Sequence, residues 1–282
     1  MSVPPPGAEP WNRWDVHPSV AIGLVLLGGL YVYWGGLRAD RRRALAFGAS
    51  LLVIFVALNG PLHNLSDAYF FSAHMAQHLL LTLLFPPLLL YGTPAWVVRP
   101  LLTPRWVMAL ARVVTRPVVA AAVFTAPIVL WHLPLFYEAA LRHHGLHIVQ
   151  HLVFLAGGVL MWWPILSPVP ELPRIPYPGQ MLYLFLLGLP MSLTGALITL
   201  SDGVLYPFYA AAPRLWGGGG GGGGGGLDAL ADQQIGGLLM WVPGGLALWG
   251  AMTVVWFRWS GREQQGNAER AVPLDVYAAT PR

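Results

Sequence analysis

Seven stretches of the sequence are almost wholly apolar and long enough to cross a lipid bilayer. A hydrocarbon core of about 30 Å needs roughly 20 helical residues. The stretches run over Ser19 to Leu37, Ala44 to Leu62, His74 to Tyr91, Pro117 to Leu133, Leu146 to Leu166, Tyr177 to Leu200 and Ile235 to Phe257. The second and the fourth are only just long enough. The pattern predicts an all-α fold, a polytopic membrane helix bundle of about seven transmembrane helices.

The composition agrees with lipid as the solvent of this chain. Hydrophobic residues make up 56% of the sequence and charged residues only 10%. All sixteen basic residues are arginines, and they fall mostly in the predicted loops, so the basic balance does not indicate a nucleic-acid partner. The chain has no cysteine, which excludes disulfides, thiolate metal sites and thiol redox chemistry.

The arginines are concentrated on one side of the predicted bundle. The loops after the first, third and fifth spans and the start of the tail hold Arg38, Arg41, Arg42, Arg43, Arg99, Arg105, Arg112, Arg116, Arg174, Arg258 and Arg262. The opposite side has only Arg13, Arg142 and Arg214. Because positively charged loops stay in the cytoplasm, we expect the N-terminus outside and the C-terminus inside.

Three regions follow from this topology. Residues 1–18 form an outer N-terminal segment, residues 19–259 the seven-helix membrane domain, and residues 260–282 a cytoplasmic tail that we expect to be disordered. The glycine tract Gly217 to Gly226 lies in the outer loop between spans six and seven. Ten glycines behave as a flexible coil with an end-to-end distance of about 17 Å.

The histidines carry the candidate chemistry, since all nine fall at the outer ends of the predicted spans. His74/His78 and His147/His151 are spaced i, i+4, which points both imidazoles of a pair from one helix face. Two such helices and one more donor can surround a metal ion. We expect the ligands to converge in one cavity near the outer surface. The candidate metal ligands are His74, His78, His132, His147, His151 and Asp232.

Each candidate also has a plainer interpretation. The two pairs can form a polar seam between helices, and His132 can be an interfacial residue. Asp232 can cap its helix or can accept a hydrogen bond that fixes a histidine tautomer. The thioethers of Met75 and Met240 could bind Cu(I), although most methionines in an apolar protein serve packing.

Four separated motifs resemble the multi-span cytochrome c oxidase assembly factor family known as CtaG. They are His74-Met75-Ala76-Gln77-His78 followed by Pro86-Pro87 and Gly92-Thr93-Pro94; Trp131-His132-Leu133-Pro134; His147 to His151 followed by Trp162-Trp163-Pro164; and Asp232-Gln233-Gln234 through Met240-Trp241-Val242-Pro243-Gly244-Gly245. The resemblance implies a multi-pass protein of the bacterial plasma membrane that is not an enzyme. It implies a role in maturing haem-copper oxidase, with cytochrome c oxidase subunits and a soluble copper chaperone as partners besides membrane lipid.

The expected function is therefore to bind copper at the outer histidine site and to hand it to the oxidase. Imidazole also suits zinc, and an intramembrane zinc-dependent hydrolase, with a metal-bound water, is the alternative function. Haem ligation by histidines of facing helices is a further possibility. A transporter would need polar groups at the middle of the bilayer, and there the spans are almost wholly apolar.

Overall fold

The computed structural model describes residues 14–213 and 227–270, with side chains as far as residue 265. The described residues form helices and connecting segments without a strand, which confirms the all-α prediction. The helices are α1 (Pro18–Tyr33), α2 (Arg41–Leu58), α3 (Gly60–Ala68), α4 (Phe71–Leu79), α5 (Phe85–Gly92), α6 (Ala95–Leu102), α7 (Arg105–Val114), α8 (Pro117–Trp131), α9 (Pro134–Arg142), α10 (His144–Leu166), α11 (Tyr177–Thr199), α12 (Pro207–Ala210) and α13 (Ala229–Arg270).

Four helical segments of the described chain are long and apolar enough to cross a membrane. They are Phe71–Gly92, which comprises α4, a π-helical turn and α5, and then His144–Leu166, Tyr177–Thr199 and Ala229–Gln265. The number rises to six if α2 with α3, and α7 with α8, each make one bent span. The apolar helix α1 has 16 residues, fewer than a full crossing needs. Seven spans and the orientation of the bundle therefore stay predictions.

The two bends have local causes in the backbone. Between α2 and α3, Asn59 is extended, Gly60 has a φ of 71°, and Pro61 follows in the first turn of α3. The two helices meet at 41°. Between α7 and α8 the angle is 75°, because Arg116 is extended ahead of Pro117. The predicted second span, Ala44 to Leu62, is thus broken at its far end.

The π-helical turn Leu80–Leu84 keeps α4 and α5 in one continuous segment. Pro86 lacks the N–H that would reach back to the carbonyl of Thr82. That carbonyl accepts a hydrogen bond from Trp162 Nε1 at 3.0 Å instead. A methyl group on Gly158 would lie 3.1 Å from Pro86 Cγ, so α10 runs very close to this turn. The freed carbonyl is therefore satisfied by the helix that packs against it.

The helices α11 and α13 form a closely packed pair. A methyl group on Gly195 would lie 2.8 Å from the carbonyl oxygen of Gly237, so the two backbones touch where only glycine fits. Close approach at small residues is typical of helix pairs in membranes. On the other side of these helices, large apolar side chains such as Leu193, Leu197 and Leu246 are exposed. Exposed apolar surface of this kind fits contact with lipid.

The bundle has two chemically different ends. At the histidine end, α4, α10 and α13 begin and α8 ends; at the arginine end, α5 and α10 end and α11 begins. The helix α13 continues to Arg270, past residue 259, where we predicted the membrane domain to end. The predicted disordered tail thus begins as helix, because residues 262–265 are good helix formers. Residues 1–13, the glycine tract Gly217 to Gly226 and residues 271–282 lie outside the described residues.

Candidate metal centre

The five histidines predicted as ligands meet at the histidine end, between α4, α8 and α10. The ring centroids of His74 and His78 on α4 lie 4.3 Å apart. On α10, those of His147 and His151 lie 4.4 Å apart. From one helix to the other, the ring of His74 is 5.4 Å from that of His147. The ring of His132, directly after α8, is 6.0 Å from that of His78. All five are buried, and they are called the histidine cluster below.

The side of the histidine cluster that faces the arginine end of the bundle is apolar. Phe154, one turn after His151 on α10, lies with its ring centroid 4.6 Å from that of His78 and 6.3 Å from that of His132. Phe154 is buried and belongs to the main apolar core between α4, α5, α8, α10, α11 and α13. Water is therefore excluded from one side of the imidazoles, which strengthens any electrostatic or coordinate interaction that they make.

Two of the imidazoles are held in a definite tautomer by their neighbours. His132 Nδ1 lies within hydrogen-bond distance of the Ile128 carbonyl, which can only accept, so Nδ1 carries the proton and Nε2 has a free lone pair. His74 Nδ1 lies 3.2 Å from the hydroxyl of Tyr209. That hydroxyl donates to the Ser66 carbonyl at 2.6 Å. Its oxygen is then the acceptor for His74, whose Nε2 also keeps a free lone pair.

The tyrosine hydroxyls near the cluster act as neutral hydrogen-bonding groups. Burial raises the pKa of Tyr209 well above its ordinary value of 10.0, and it raises the pKa of Tyr137 in the same direction. The ring of Tyr137 lies 5.3 Å from that of His74. Both phenols therefore keep their protons at neutral pH, which is what the tautomer of His74 requires of Tyr209.

Several buried imidazole nitrogens have no hydrogen-bond partner within the described part of the chain. They are Nε2 of His74, both nitrogens of His78, Nε2 of His132, Nδ1 of His147 and Nδ1 of His151. A buried polar atom without a partner costs about 1–3 kcal/mol, and most buried polar atoms in proteins are paired. Five neighbouring rings with such nitrogens fit a site that binds a ligand through imidazole lone pairs.

Asp67 on α3, which the sequence analysis did not single out, borders the histidine cluster. Its Oδ1 lies 3.4 Å from His147 Nε2, and its Oδ2 lies 3.3 Å from His63 Nε2. His147 Nε2 also lies 2.7 Å from His151 Nε2. One carboxylate thus connects the cluster with a more peripheral histidine. No sequence signal points to this role, because Asp67 falls between the predicted second and third spans.

Asp232, the predicted carboxylate ligand, binds the start of α4. Its Oδ2 accepts a hydrogen bond from the Phe71 backbone N–H at 2.7 Å. Its Oδ1 accepts from the backbone N–H and the hydroxyl of Ser72, at 3.2 and 2.5 Å. Asp232 therefore caps the helix that carries His74 and His78, and its charge complements the helix dipole there. A role as a metal ligand stays a prediction.

Gln233 and Gln234, the two glutamines that follow Asp232, form hydrogen bonds with the segment between α11 and α12. Gln233 accepts from the Leu205 N–H at 2.6 Å and donates to the Gly203 carbonyl at 3.1 Å. Next along the chain, Tyr206 donates to the His132 carbonyl at 2.8 Å. The Asp-Gln-Gln motif of α13 thus positions both α4 and the segment that leads to Tyr209.

The remaining histidines lie at the edge of the cluster or on the surface. His63 Nδ1 accepts from Gln77 Nε2 at 3.2 Å, which leaves its other nitrogen to donate to Asp67. The ring of His17 packs edge-on against that of His63 at 4.6 Å. His143 and His144 are exposed. The thioether candidates, Met75 and Met240, lie in the main apolar core.

The side chains of the histidine cluster are close together but are not arranged around one point. Among residues 14–213 and 227–270, no group of three or more His, Asp or Glu side chains is placed to hold a metal ion as it stands. The structure therefore supplies suitable donors in one place, and binding would require the rings to rotate. Buried Gln150, whose amide has no hydrogen-bond partner in the described chain, is a further polar group that the sequence analysis missed.

Relatives of this chain occur in mycobacteria. The uncharacterized protein Mb0105 of Mycobacterium bovis and the uncharacterized protein MT0111 of Mycobacterium tuberculosis are each 29% identical over 266 residues, which cover 86% of this chain. The uncharacterized protein ML1998 of Mycobacterium leprae is 28% identical over 188 residues, or 61% of this chain. The chain spans 38% of the length of the first two relatives and 27% of the third. No solved structure is significantly similar to it.

The family comparison covers most of the helical bundle. Residues 29–262 match the cytochrome c oxidase caa3 assembly factor family, Caa3_CtaG. The matched range includes every residue of the histidine cluster as well as Asp67 and Asp232. It agrees with the resemblance carried by the four sequence motifs, and it gives no support to a hydrolase. The chain belongs to the cytochrome c oxidase caa3 assembly factor family.

Proposed function

We propose that this protein binds a copper ion in the histidine cluster and hands it to a cytochrome c oxidase subunit during assembly. The proposal is carried by the convergence of five buried imidazoles in a chain of an oxidase assembly family. Each of them has at least one nitrogen without a partner among the described residues. The metal is cargo in this role, so the ligands must release it again. Imidazoles without a thiolate suit such exchange better than a closed cysteine site.

The spacing of the rings supports binding after small side-chain rotations. Metal–nitrogen bonds of about 2.0–2.1 Å put the centroids of two imidazoles on one tetrahedral ion about 5 Å apart. The centroid distances between the two helices are 5.4 Å for His74 and His147, and 5.7 Å for His78 and His151. The helices thus already stand at the separation that a shared ion needs. Rotation about side-chain bonds would aim the nitrogens without moving the backbone.

A cavity beside the cluster supports a route for the metal. It has a volume of about 410 Å³ and lies between α1, α2, α3 and α10. His17, His63, Asp67 and His144 line its polar part, and His147 and His151 line it where it meets the cluster. In the proposed route an ion meets Asp67 and His63 first and then passes to His147. The carboxylate would attract the cation, and the buried imidazoles would retain it.

The proposal assigns the histidine end to the outer face of a bacterial plasma membrane. Basic loops favour the cytoplasmic side, and the arginines around α6, α7 and the ends of α10 and α13 lie at the other end of the bundle. Copper would then be loaded from outside, directly or from a soluble copper chaperone. The receiving subunit of the oxidase would dock on the same face.

A deletion strain tests this function. Cells without the protein should keep the oxidase polypeptides but lose oxidase activity, and added copper should partly restore it. The wild-type gene should rescue the strain fully, whereas a gene with His78→Ala and His151→Ala should not. A deletion strain with fully active, copper-loaded oxidase would contradict the assembly role. Rescue by the double variant would contradict the role of the cluster.

A further inference from the structure

A second cavity lies at the arginine end, away from the histidine cluster. Its volume is about 610 Å³, and it is bordered by the ends of α5, α10 and α13 and by the start of α11. Its walls are mainly apolar, with Leu84, Leu88 and Val254 among the lining residues. Three arginines also line it: Arg174, Arg258 and Arg262. The cavity combines an apolar interior with a cationic mouth.

The three arginines have no acidic partner in the described part of the chain. Other arginines at this end do pair, since Arg99 lies 2.8 Å from Glu171 and Arg43 lies 3.4 Å from Asp40. Arg174 donates to the Ser167 carbonyl through Nε, and Arg262 stacks over the Tyr177 ring at 5.4 Å. Burial lowers the pKa of Arg174, and repulsion by Arg258 adds to this effect. Positive charge thus accumulates at the cavity without an acidic partner among the described side chains.

We propose that this cavity binds one anionic phospholipid, with the phosphate among the three arginines and an acyl chain along the apolar wall. Guanidinium groups bind phosphate oxygens through several parallel N–H donors. The apolar lining residues belong to helices that are long and apolar enough to cross a membrane. When the acyl chain of a phospholipid enters the cavity from the bilayer, its headgroup would therefore lie at the level of the arginines.

The apolar wall distinguishes this ligand from a small anion. A free phosphate would use the arginines but would leave the side chains of Leu84, Leu88 and Val254 facing an unfilled apolar space. An acyl chain fills that space and removes its surface from water. Pro176 and Tyr177 also line the cavity. They lie where α11 begins. A bound lipid would thus join α5, α10, α11 and α13 at this end.

Native mass spectrometry of the full chain in a nonionic detergent tests the proposal. The probes are phosphatidylglycerol, phosphatidylcholine and inorganic phosphate, each titrated separately. We expect one tightly retained phosphatidylglycerol and much weaker binding of phosphatidylcholine. Arg174→Gln with Arg258→Gln should weaken phosphatidylglycerol binding by about 25-fold, because each arginine contributes about fivefold near a lipid surface. Replacing the same two residues by lysine keeps the positive charges but not the parallel N–H donors, and should restore only part of the affinity.

The matched control is Arg105→Gln with Arg112→Gln, which removes two exposed arginines on α7 that do not line the cavity. This variant should bind phosphatidylglycerol as the wild type does. Equal weakening in both glutamine variants would overturn the proposal in favour of a general surface charge effect. Displacement of the lipid by millimolar inorganic phosphate, or equal retention of phosphatidylcholine, would also overturn it. Should the glutamine pair not fold, Arg258→Gln alone must still weaken binding by about fivefold.

Discussion

Two kinds of histidine stand side by side at one end of this bundle. The five members of the histidine cluster are buried, and each has at least one nitrogen without a partner in the described chain. By contrast, His143 and His144 are exposed to solvent, and both ring nitrogens of His63 have partners, Gln77 and Asp67. The two groups are close in sequence, since His144 is separated from His147 by less than one helical turn.

The difference between the two groups of histidines shows where burial of a polar side chain costs free energy. An exposed imidazole is hydrated and costs nothing, and a paired one is satisfied. A buried imidazole without a partner loses about 1–3 kcal/mol of hydrogen bonding, and ionisable groups inside membrane helices are rare unless they are functional. The cluster therefore concentrates in one place buried imidazole nitrogens whose missing hydrogen bonds within the described chain a bound ligand would replace. The exposed His143, which does not line the cavity beside the cluster, provides a matched control for removing histidines of the cluster.

The largest expected effect comes from removing one deep histidine of each pair. His78→Ala with His151→Ala should abolish copper retention, with a loss in affinity of more than about 100-fold, because even partners of ligands contribute 10–100-fold. The metal content of the purified protein, measured by mass spectrometry after copper loading, gives the result. The control is His143→Ala, an exposed histidine that does not line the cavity beside the cluster. This variant should bind copper as the wild type does.

The same experiment can contradict the distinction between the histidine cluster and the exposed histidines. Unchanged copper stoichiometry in the His78/His151 variant would remove both residues from the proposed ligand set. Equal loss of copper in the His143→Ala control would mean that an exposed histidine contributes to binding. Loss of the folded protein in the first variant alone would support a structural polar seam between α4 and α10, which circular dichroism of the purified variants would reveal.

The cluster was predictable from sequence because its geometry is mostly local. Within a helix, i, i+4 spacing fixes the relative positions of two side chains, so the pairs on α4 and α10 follow from the apolar pattern. The position of His132 next to them depends only on helix ends lying on one side. Asp67 could not be found in this way. It reaches His147 because α3 continues as a helix after the bend at Gly60, and that bend depends on a single backbone conformation.

The role of Asp232 was also beyond sequence reasoning. Its partners, Phe71 and Ser72, are about 160 positions away in the chain, and only tertiary packing of α13 against α4 brings them together. The sequence predicts that this carboxylate caps its own helix, binds a metal or fixes a histidine tautomer. In the structure it caps a neighbouring helix, and its role as a metal ligand stays a prediction. Helix types and faces can be read from local pattern, whereas such cross-helix partners depend on the whole fold.

Asp232→Ala should give the second largest effect, on stability. The change leaves the buried N–H of Phe71 without an acceptor and removes both bonds to Ser72, so we expect a loss of about 3 kcal/mol in the free energy of unfolding. Thermal unfolding in detergent measures it. Asp232→Asn keeps an acceptor oxygen and should lose about 1 kcal/mol. An alanine variant as stable as the wild type would contradict the capping role. A copper affinity lost in the asparagine variant at near-normal stability would support the ligand role.

A smaller effect is expected where the peripheral and the buried histidines meet. Asp67→Asn removes the negative charge that lies beside both His63 and His147. Copper affinity should fall by about tenfold, as is typical for a carboxylate that supports metal-bound imidazoles, while the stoichiometry stays that of the wild type. A competition titration against a copper chelator measures the change. Wild-type copper affinity in Asp67→Asn would mean that this carboxylate does not support copper binding. It would contradict the proposed route through the cavity between α1, α2, α3 and α10.

The smallest effect concerns the tautomer of one imidazole in the cluster. Tyr209→Phe removes the hydroxyl that accepts from His74 Nδ1 and donates to Ser66. The Nε2 lone pair of His74 is then no longer favoured, and we expect copper affinity to fall by about fivefold, the equivalent of one hydrogen bond. The control is Tyr206→Phe, which removes a bond to the His132 carbonyl but leaves the partner of His74 Nδ1 in place. Similar stability losses in the two variants, with an affinity loss only for Tyr209→Phe, would separate an effect on the imidazole from an effect on the fold. Equal copper affinities of the two variants would mean that His74 needs no fixed tautomer. The free lone pair at His74 Nε2 would then not distinguish the cluster from the peripheral histidines.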